Sequence, residues 1–117
     1  PRPQRRLAHV ESLDLATWIG ACLRALRPGG WCVLIQRADR LTELCAALAP
    51  ACGDVSILPL WPRDEAPLAK RVIVRARKGA RGPTRLARGL VLHEADGRYT
   101  AAAEAVLRHG AALEWPR

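Results

Sequence analysis

Three short strand-like runs limit what this chain can fold into: Trp31–Ile35, Val55–Leu60 and Arg71–Arg77. Between the first two, Leu41, Leu44, Cys45 and Leu48 recur at helical spacing, with Asp39 placed to cap that helix and Pro50 to stop it. A helix between two strands allows a parallel, right-handed crossover. The third run follows after only the ten residues 61–70. A helical crossover needs about a dozen or more residues, so this strand is expected to return antiparallel. The first run, Trp-Cys-Val-Leu-Ile, does not alternate and is bounded by turn signals, which predicts a strand buried on both faces.

The flanks extend this α/β pattern. Leu15, Trp18, Ile19, Cys22, Leu23 and Leu26 mark a helix before the first strand, with Ser12 as its expected cap, Asp14 in its first turn, and Pro28-Gly29-Gly30 as its stop. Residues 1–11 are rich in proline and arginine, show no period and carry no initiator Met, so the chain reads as a piece of something longer. After Gly79 the sequence is irregular and basic as far as Gly89. Leu90–His93 and Arg98–Thr100 then flank Ala95-Asp96-Gly97, where Asp-Gly favours a tight turn and a small hairpin. Ala101–Arg108 is a last helix, with Gly110 as C-cap, and Glu104 falls one residue late for a capping box with Thr100. The reading is one domain: a lead-in over 1–11, sheet and helices over 12–78, and a basic loop, hairpin and helix over 79–117.

Composition excludes several classes. The chain has 117 residues, of which 50% are hydrophobic and 26% charged, the balance of an ordinary globular domain rather than a disordered or collagen-like one. Its apolar runs are far shorter than the roughly 20 residues that span a bilayer, and no signal segment opens it, so a cytoplasmic protein without membrane contact is expected. Cys22, Cys32, Cys45 and Cys52 form no CxxC pair and are read as reduced, mostly buried thiols. The three histidines have no carboxylate or cysteine at ligand spacing, so no metal is expected.

The net charge of +8 is concentrated in one stretch. Residues 1–70 hold nine basic and seven acidic groups, residues 91–117 three and four, and Arg71–Arg88 seven basic groups with no acid. A concentrated cationic patch draws polyanions by releasing their counterions, which makes nucleic acid the first partner to consider. The patch has no aromatic residue for stacking single-stranded bases.

The succession of helix, Leu26-Arg-Pro-Gly-Gly30, buried strand, helix, strand and antiparallel strand resembles the carboxyl-terminal half of class I S-adenosylmethionine-dependent methyltransferases. Arg37-Ala-Asp-Arg-Leu41, Pro59-Leu-Trp-Pro-Arg63 and Ala69-Lys-Arg-Val-Ile-Val-Arg75, leading into Arg77-Lys-Gly79, sharpen the likeness to the small-domain bacterial enzymes that methylate the exocyclic amine of an adenine in tRNA. GLVLHEADGRYT and AEAVLRHGAAL resemble the tail of the alphaproteobacterial-type members. The resemblance covers about Ala8 to Leu113. It implies a Rossmann-like half-sheet of two parallel strands and one antiparallel strand with flanking helices, plus a hairpin-helix extension. It also implies S-adenosylmethionine as cofactor of the full-length protein and tRNA as partner. The family's glycine-rich cofactor turn, the acidic residue after its second strand and its Asn-Pro-Pro-aromatic motif do not occur in these residues. The chain alone is therefore expected to bind no cofactor and to be inactive, with no catalytic residue assigned.

In an open α/β sheet, ligands bind beyond the carboxyl ends of the parallel strands. That rule selects Arg37, Asp39, Arg40, Arg63 and Lys70, with Arg71 at the edge, as candidate substrate-binding residues, the arginines being suited to grip phosphates. For Asp39, helix capping weighs more than substrate contact. Lys78, Arg81, Arg85 and Arg88 belong at the opposite end of the sheet. Two other readings stand beside this one: a non-catalytic basic module that binds RNA or completes another chain's sheet, and a methyltransferase acting on ribosomal RNA guanine or protein glutamine. The strand Trp31–Ile35 is expected to expose an apolar edge, and self-association through that edge or through the uncovered helix faces follows.

Overall fold

The computed structural model describes residues 14–109. The lead-in 1–11, the expected Ser12 cap and the expected Gly110 C-cap lie outside the described residues. Helix α1 spans Leu15–Ala25, strand β1 Trp31–Arg37, a 3-10 turn Ala38–Arg40, helix α2 Leu41–Leu48, strand β2 Cys52–Arg63 and strand β3 Arg71–Lys78. The two-residue strand β4, Arg85–Leu86, then leads to β5, Leu90–His93, and helix α3, Ala101–His109.

The sheet runs in the order β1-β3-β2-β4, with β5 also paired to β2. β3 is antiparallel to both neighbours, with Trp31 opposite Arg77 and Arg37 opposite Arg71 on one side, and Leu60 opposite Arg71 on the other. Hence β1 and β2 point the same way, joined through α2, with the returning strand wedged between them. Asp54 (φ 49°) sits where the β2–β3 register shifts between Gly53 and Ser56, a bulge whose left-handed residue is of a type that tolerates that conformation. β4 and β5 extend the sheet in parallel beyond β2, a pairing that no local sequence signal marks. The expected hairpin is present: His93 bridges Tyr99, and the Glu94 N–H donates to the Arg98 carbonyl at 2.7 Å.

One face of the sheet carries the core. Leu15, Ile19 and Leu23 of α1 and Leu44 and Leu48 of α2 pack on Cys32 and Leu34 of β1, Val55 and Ile57 of β2, and Val72, Val74 and Ala76 of β3. Ile19, Leu44, Leu48 and Val74 are fully enclosed, each contributing about 1.5–3 kcal/mol of burial.

The other face of β1 corrects the expectation of a strand buried on both sides. Its residues alternate, and Trp31, Val33 and Ile35 remain 42%, 55% and 59% exposed. A continuous apolar run does not distinguish a strand covered on both faces from one whose second layer is missing. β1 is also an edge strand, paired among the described residues only with β3.

Two caps differ from expectation. Asp14 is itself the N-cap of α1: one carboxylate oxygen accepts the Thr17 N–H at 3.1 Å and the other accepts the Thr17 hydroxyl. These bonds, the hydroxyl's foremost, hold the Asp14 carboxyl below its ordinary value. Asp39 does not cap α2. It lies in the 3-10 turn and pairs with Arg37, while Arg40 takes the cap position without a side-chain capping bond. Thr100 does cap α3, accepting the Ala103 N–H at 3.0 Å. All four cysteines carry free thiols, and burial raises the pKa of Cys32, Cys45 and Cys52. No helix among the described residues is long and apolar enough to cross a membrane.

Candidate substrate cleft

At the carboxyl end of β1 the chain turns into the 3-10 segment, and beside it the 61–70 connection enters β3. The Ala38 N–H donates to the Lys70 carbonyl at 2.8 Å and ties the two segments together. Between them lies an open cleft of about 620 Å³, lined by Arg37, Asp39, Leu68, Lys70, Arg71 and the alanines 38 and 69. Four of the six residues selected from sequence, Arg37, Asp39, Lys70 and Arg71, therefore meet at one place. The strand register explains the meeting, since Arg37 and Arg71 are the final cross-strand pair of β1 and β3.

The other two are turned elsewhere. Arg40 pairs with Glu43 at 3.0 Å, and Arg63, at the end of β2, pairs with Glu65 at 3.6 Å; neither lines the cleft. Inside it, Asp39 accepts two bonds from the Arg37 guanidinium, at 3.1 and 3.2 Å, so the carboxylate orients that arginine and neutralises part of its charge. Lys70 and Arg71 leave the lining cationic. Leu68 is 69% exposed and gives the cleft one apolar wall, which no sequence signal had marked.

The structure divides the seven cations of 71–88 into separate tasks. Lys78 Nζ donates to the Leu23 and Leu26 carbonyls, at 2.7 and 2.6 Å, closing the carboxyl end of α1 where a cation suits the helix dipole. Arg77 Nε donates to the Gly29 carbonyl at 2.9 Å. The guanidinium carbons of Arg75 and Arg77 lie 4.4 and 5.3 Å from the centre of the Trp31 ring, a cation–π arrangement on the bare face. The sequence held a signal for this group: pairing RVIVRAR antiparallel to WCVLI sets arginines beside Trp31.

The lining of this cleft does not suit S-adenosylmethionine. The sulfonium is a cation, and the cleft offers Arg37, Lys70 and Arg71 with a single carboxylate already engaged by Arg37. Gly29-Gly30, the remaining glycine pair, is used structurally: the Gly29 N–H donates to the Lys78 carbonyl at 2.8 Å, and the Gly30 carbonyl accepts the Lys78 N–H at 2.9 Å.

No family model matches the chain, and no curated protein does. Among solved structures, the crystal structure of a predicted O-methyltransferase from Agrobacterium tumefaciens is similar, with 27% sequence identity and a TM-score of 0.77 over 84% of this chain. The chain spans 47% of that protein, about half its length. With its parallel β1 and β2, the antiparallel β3 between them and helices on one side, the chain has a methyltransferase-like α/β fold.

Proposed function

We propose that this chain forms the carboxyl-terminal part of an S-adenosylmethionine-dependent RNA methyltransferase that modifies the exocyclic amine of an adenine in tRNA, a cytoplasmic substrate. The carrying observation is the cationic cleft of Arg37, Lys70 and Arg71 at the carboxyl end of β1, on a methyltransferase-like half-sheet. In this role the cleft holds backbone phosphates of the substrate, Asp39 fixes the Arg37 fork, and Leu68 offers an apolar wall to a ribose or base. The cofactor and the acceptor amine are held by residues outside this chain, and the chain alone transfers no methyl group.

A second reading comes from the similarity to the Agrobacterium protein, a predicted O-methyltransferase, which would make the acceptor an oxygen. The two are separated by incubating unmodified tRNA with methyl-labelled S-adenosylmethionine and either this chain or the polypeptide encoded in frame with it, followed by nucleoside mass spectrometry. The proposal expects no transfer by the chain alone and N6-methyladenosine from the longer product. Methylation of an oxygen of the tRNA, with no N6-methyladenosine, would overturn the adenine assignment in favour of the second reading.

A further inference from the structure

Beyond Lys78, the basic stretch continues as a strap, residues 79–89, held along the far edge of the sheet. Its backbone is fixed at several points: the Gly79 N–H donates to the Ala51 carbonyl at 2.8 Å, the Gly82 carbonyl accepts the Asp54 N–H at 3.2 Å, and the Ala87 N–H donates to the Ile57 carbonyl at 2.8 Å. The Arg88 carbonyl accepts the Trp61 indole N–H at 3.4 Å. The strap lies so close to β2 that a Cβ at Gly82 would sit 1.7 Å from the Asp54 carboxylate, and one at Gly89 (φ +99°) 2.4 Å from the Pro59 carbonyl oxygen. Its backbone is thus committed to the sheet while Arg81, Arg85 and Arg88 are exposed, and none of the three forms an ion pair among the described residues.

We infer that this strap is a second phosphate-contact ridge, gripping the backbone of the same RNA at a point distant from the cleft. The inference rests on the RNA reading above and deepens it. Three arginines on a pinned backbone lose less freedom on binding than the same residues on a free loop, and the guanidinium fork matches phosphate oxygens. The sheet supplies the distance. Arg37 and Arg85 are separated by three strand spacings across the sheet and by the four residues between Leu60 and Ser56 along it. At about 4.8 Å per strand and about 3.3 Å per residue, that is roughly 20 Å. A mononucleotide cannot bridge such a span, whereas a folded RNA presents phosphates at both places. Leu86 is the only large apolar side chain of the strap, too little for the broad apolar face of an interfacial membrane anchor.

The test is fluorescence anisotropy of a labelled, unmodified tRNA transcript titrated with the chain at several salt concentrations. The triple variant R81Q/R85Q/R88Q is expected to lower the slope of log K against log salt by about 2–3, since each phosphate contact contributes about 0.7–0.9. The R81K/R85K/R88K variant, which keeps the charge, is expected to retain most of the slope and so excludes a folding defect at these positions. The cleft variant K70Q/R71Q reports on the other site. An unchanged slope in the Gln strap variant, with a reduced one in the cleft variant, overturns the ridge and leaves the RNA reading standing. Failure of the unaltered chain to bind tRNA overturns both. Anionic phosphatidylserine vesicles bound through the strap arginines, with no tRNA binding, would reassign the ridge to membranes and overturn it as an RNA contact.

Discussion

Replacing Lys78 with Met tests whether the second half of the basic run serves the fold or a partner. The ammonium of Lys78 is half-buried and donates to two carbonyls at the end of α1, those of Leu23 and Leu26. The Leu23 carbonyl also accepts the Leu26 N–H at 3.1 Å, while no further turn of helix supplies an N–H to the Leu26 carbonyl, and Met keeps the length of the stem while removing the ammonium that bonds both. A hydrogen bond involving a charged group contributes roughly 1.5–3 kcal/mol when buried, and a surface-exposed one nearer to 1, while the dipole effect adds about 0.3–1. Two part-exposed bonds therefore give an expected loss of about 2–3 kcal/mol. On a domain of this size each kcal/mol moves Tm by about 4–8 °C, so the variant should melt roughly 10–20 °C lower. Urea unfolding followed by far-UV circular dichroism reads the same quantity as a lower midpoint at unchanged m. A loss below about 0.5 kcal/mol would refute the reasoning and return Lys78 to the pool of cations available to RNA.

Leu44→Ala should cost about 3–5 kcal/mol in the same assay, because Leu44 is completely enclosed between α2 and the sheet. A loss under about 1 kcal/mol would mean that the helix is not seated as described. Gly82→Ala should destabilise by displacing Asp54 or the strap, since the added Cβ would overlap the carboxylate, and Gly79→Ala, where open space meets a φ of +82°, should cost only about 1 kcal/mol. Equal losses at the two sites would argue against the close approach at Gly82. Burial, reinforced for Cys32 by neighbouring thiols, raises the pKa of Cys32, Cys45 and Cys52 above the ordinary 9.0. The folded state binds those protons more tightly, so its stability is intact below 9.0 and declines as pH rises through the raised values; urea midpoints that rise above pH 9.0 would contradict this. The free edge of β1 is self-complementary. Antiparallel pairing of two copies about Leu34 sets Val33 opposite Ile35 and Trp31 opposite Arg37, so self-association is expected, and Val33→Asp should abolish it; a monomeric sedimentation profile of the unaltered chain at high concentration would sink the idea.

The order of elements was legible because each signal was local. Helical periodicity marked α1 and α2, Pro28-Gly29-Gly30 and Pro50 ended them, and the short 61–70 connection dictated the antiparallel return of β3. What escaped depends on partners far away in sequence. Nothing local to Trp31–Ile35 says whether its second face is covered, and nothing in Leu90–His93 says that it lies parallel to β2. The cleft was half legible: strand ends located Arg37, Lys70 and Arg71, but the ion pairs that draw Arg40 to Glu43 and Arg63 to Glu65 follow from side-chain reach. The role of Lys78 was hidden for the same reason, since its two acceptors lie 52 and 55 residues away in sequence.

The wedged position of β3 also governs the order in which the molecule can assemble. β1 and β2 are made first yet do not touch as partners; each waits for residues 71–78, which hydrogen-bond both at once. Until the third strand emerges, β1 and β2 have their helices but no ladder between them, and their apolar runs stay unpaired with each other. A chain truncated before Arg71 should consequently be captured by chaperones rather than accumulate as a stable smaller domain. The same truncation after Lys78 should leave the β1-β3-β2 ladder able to form.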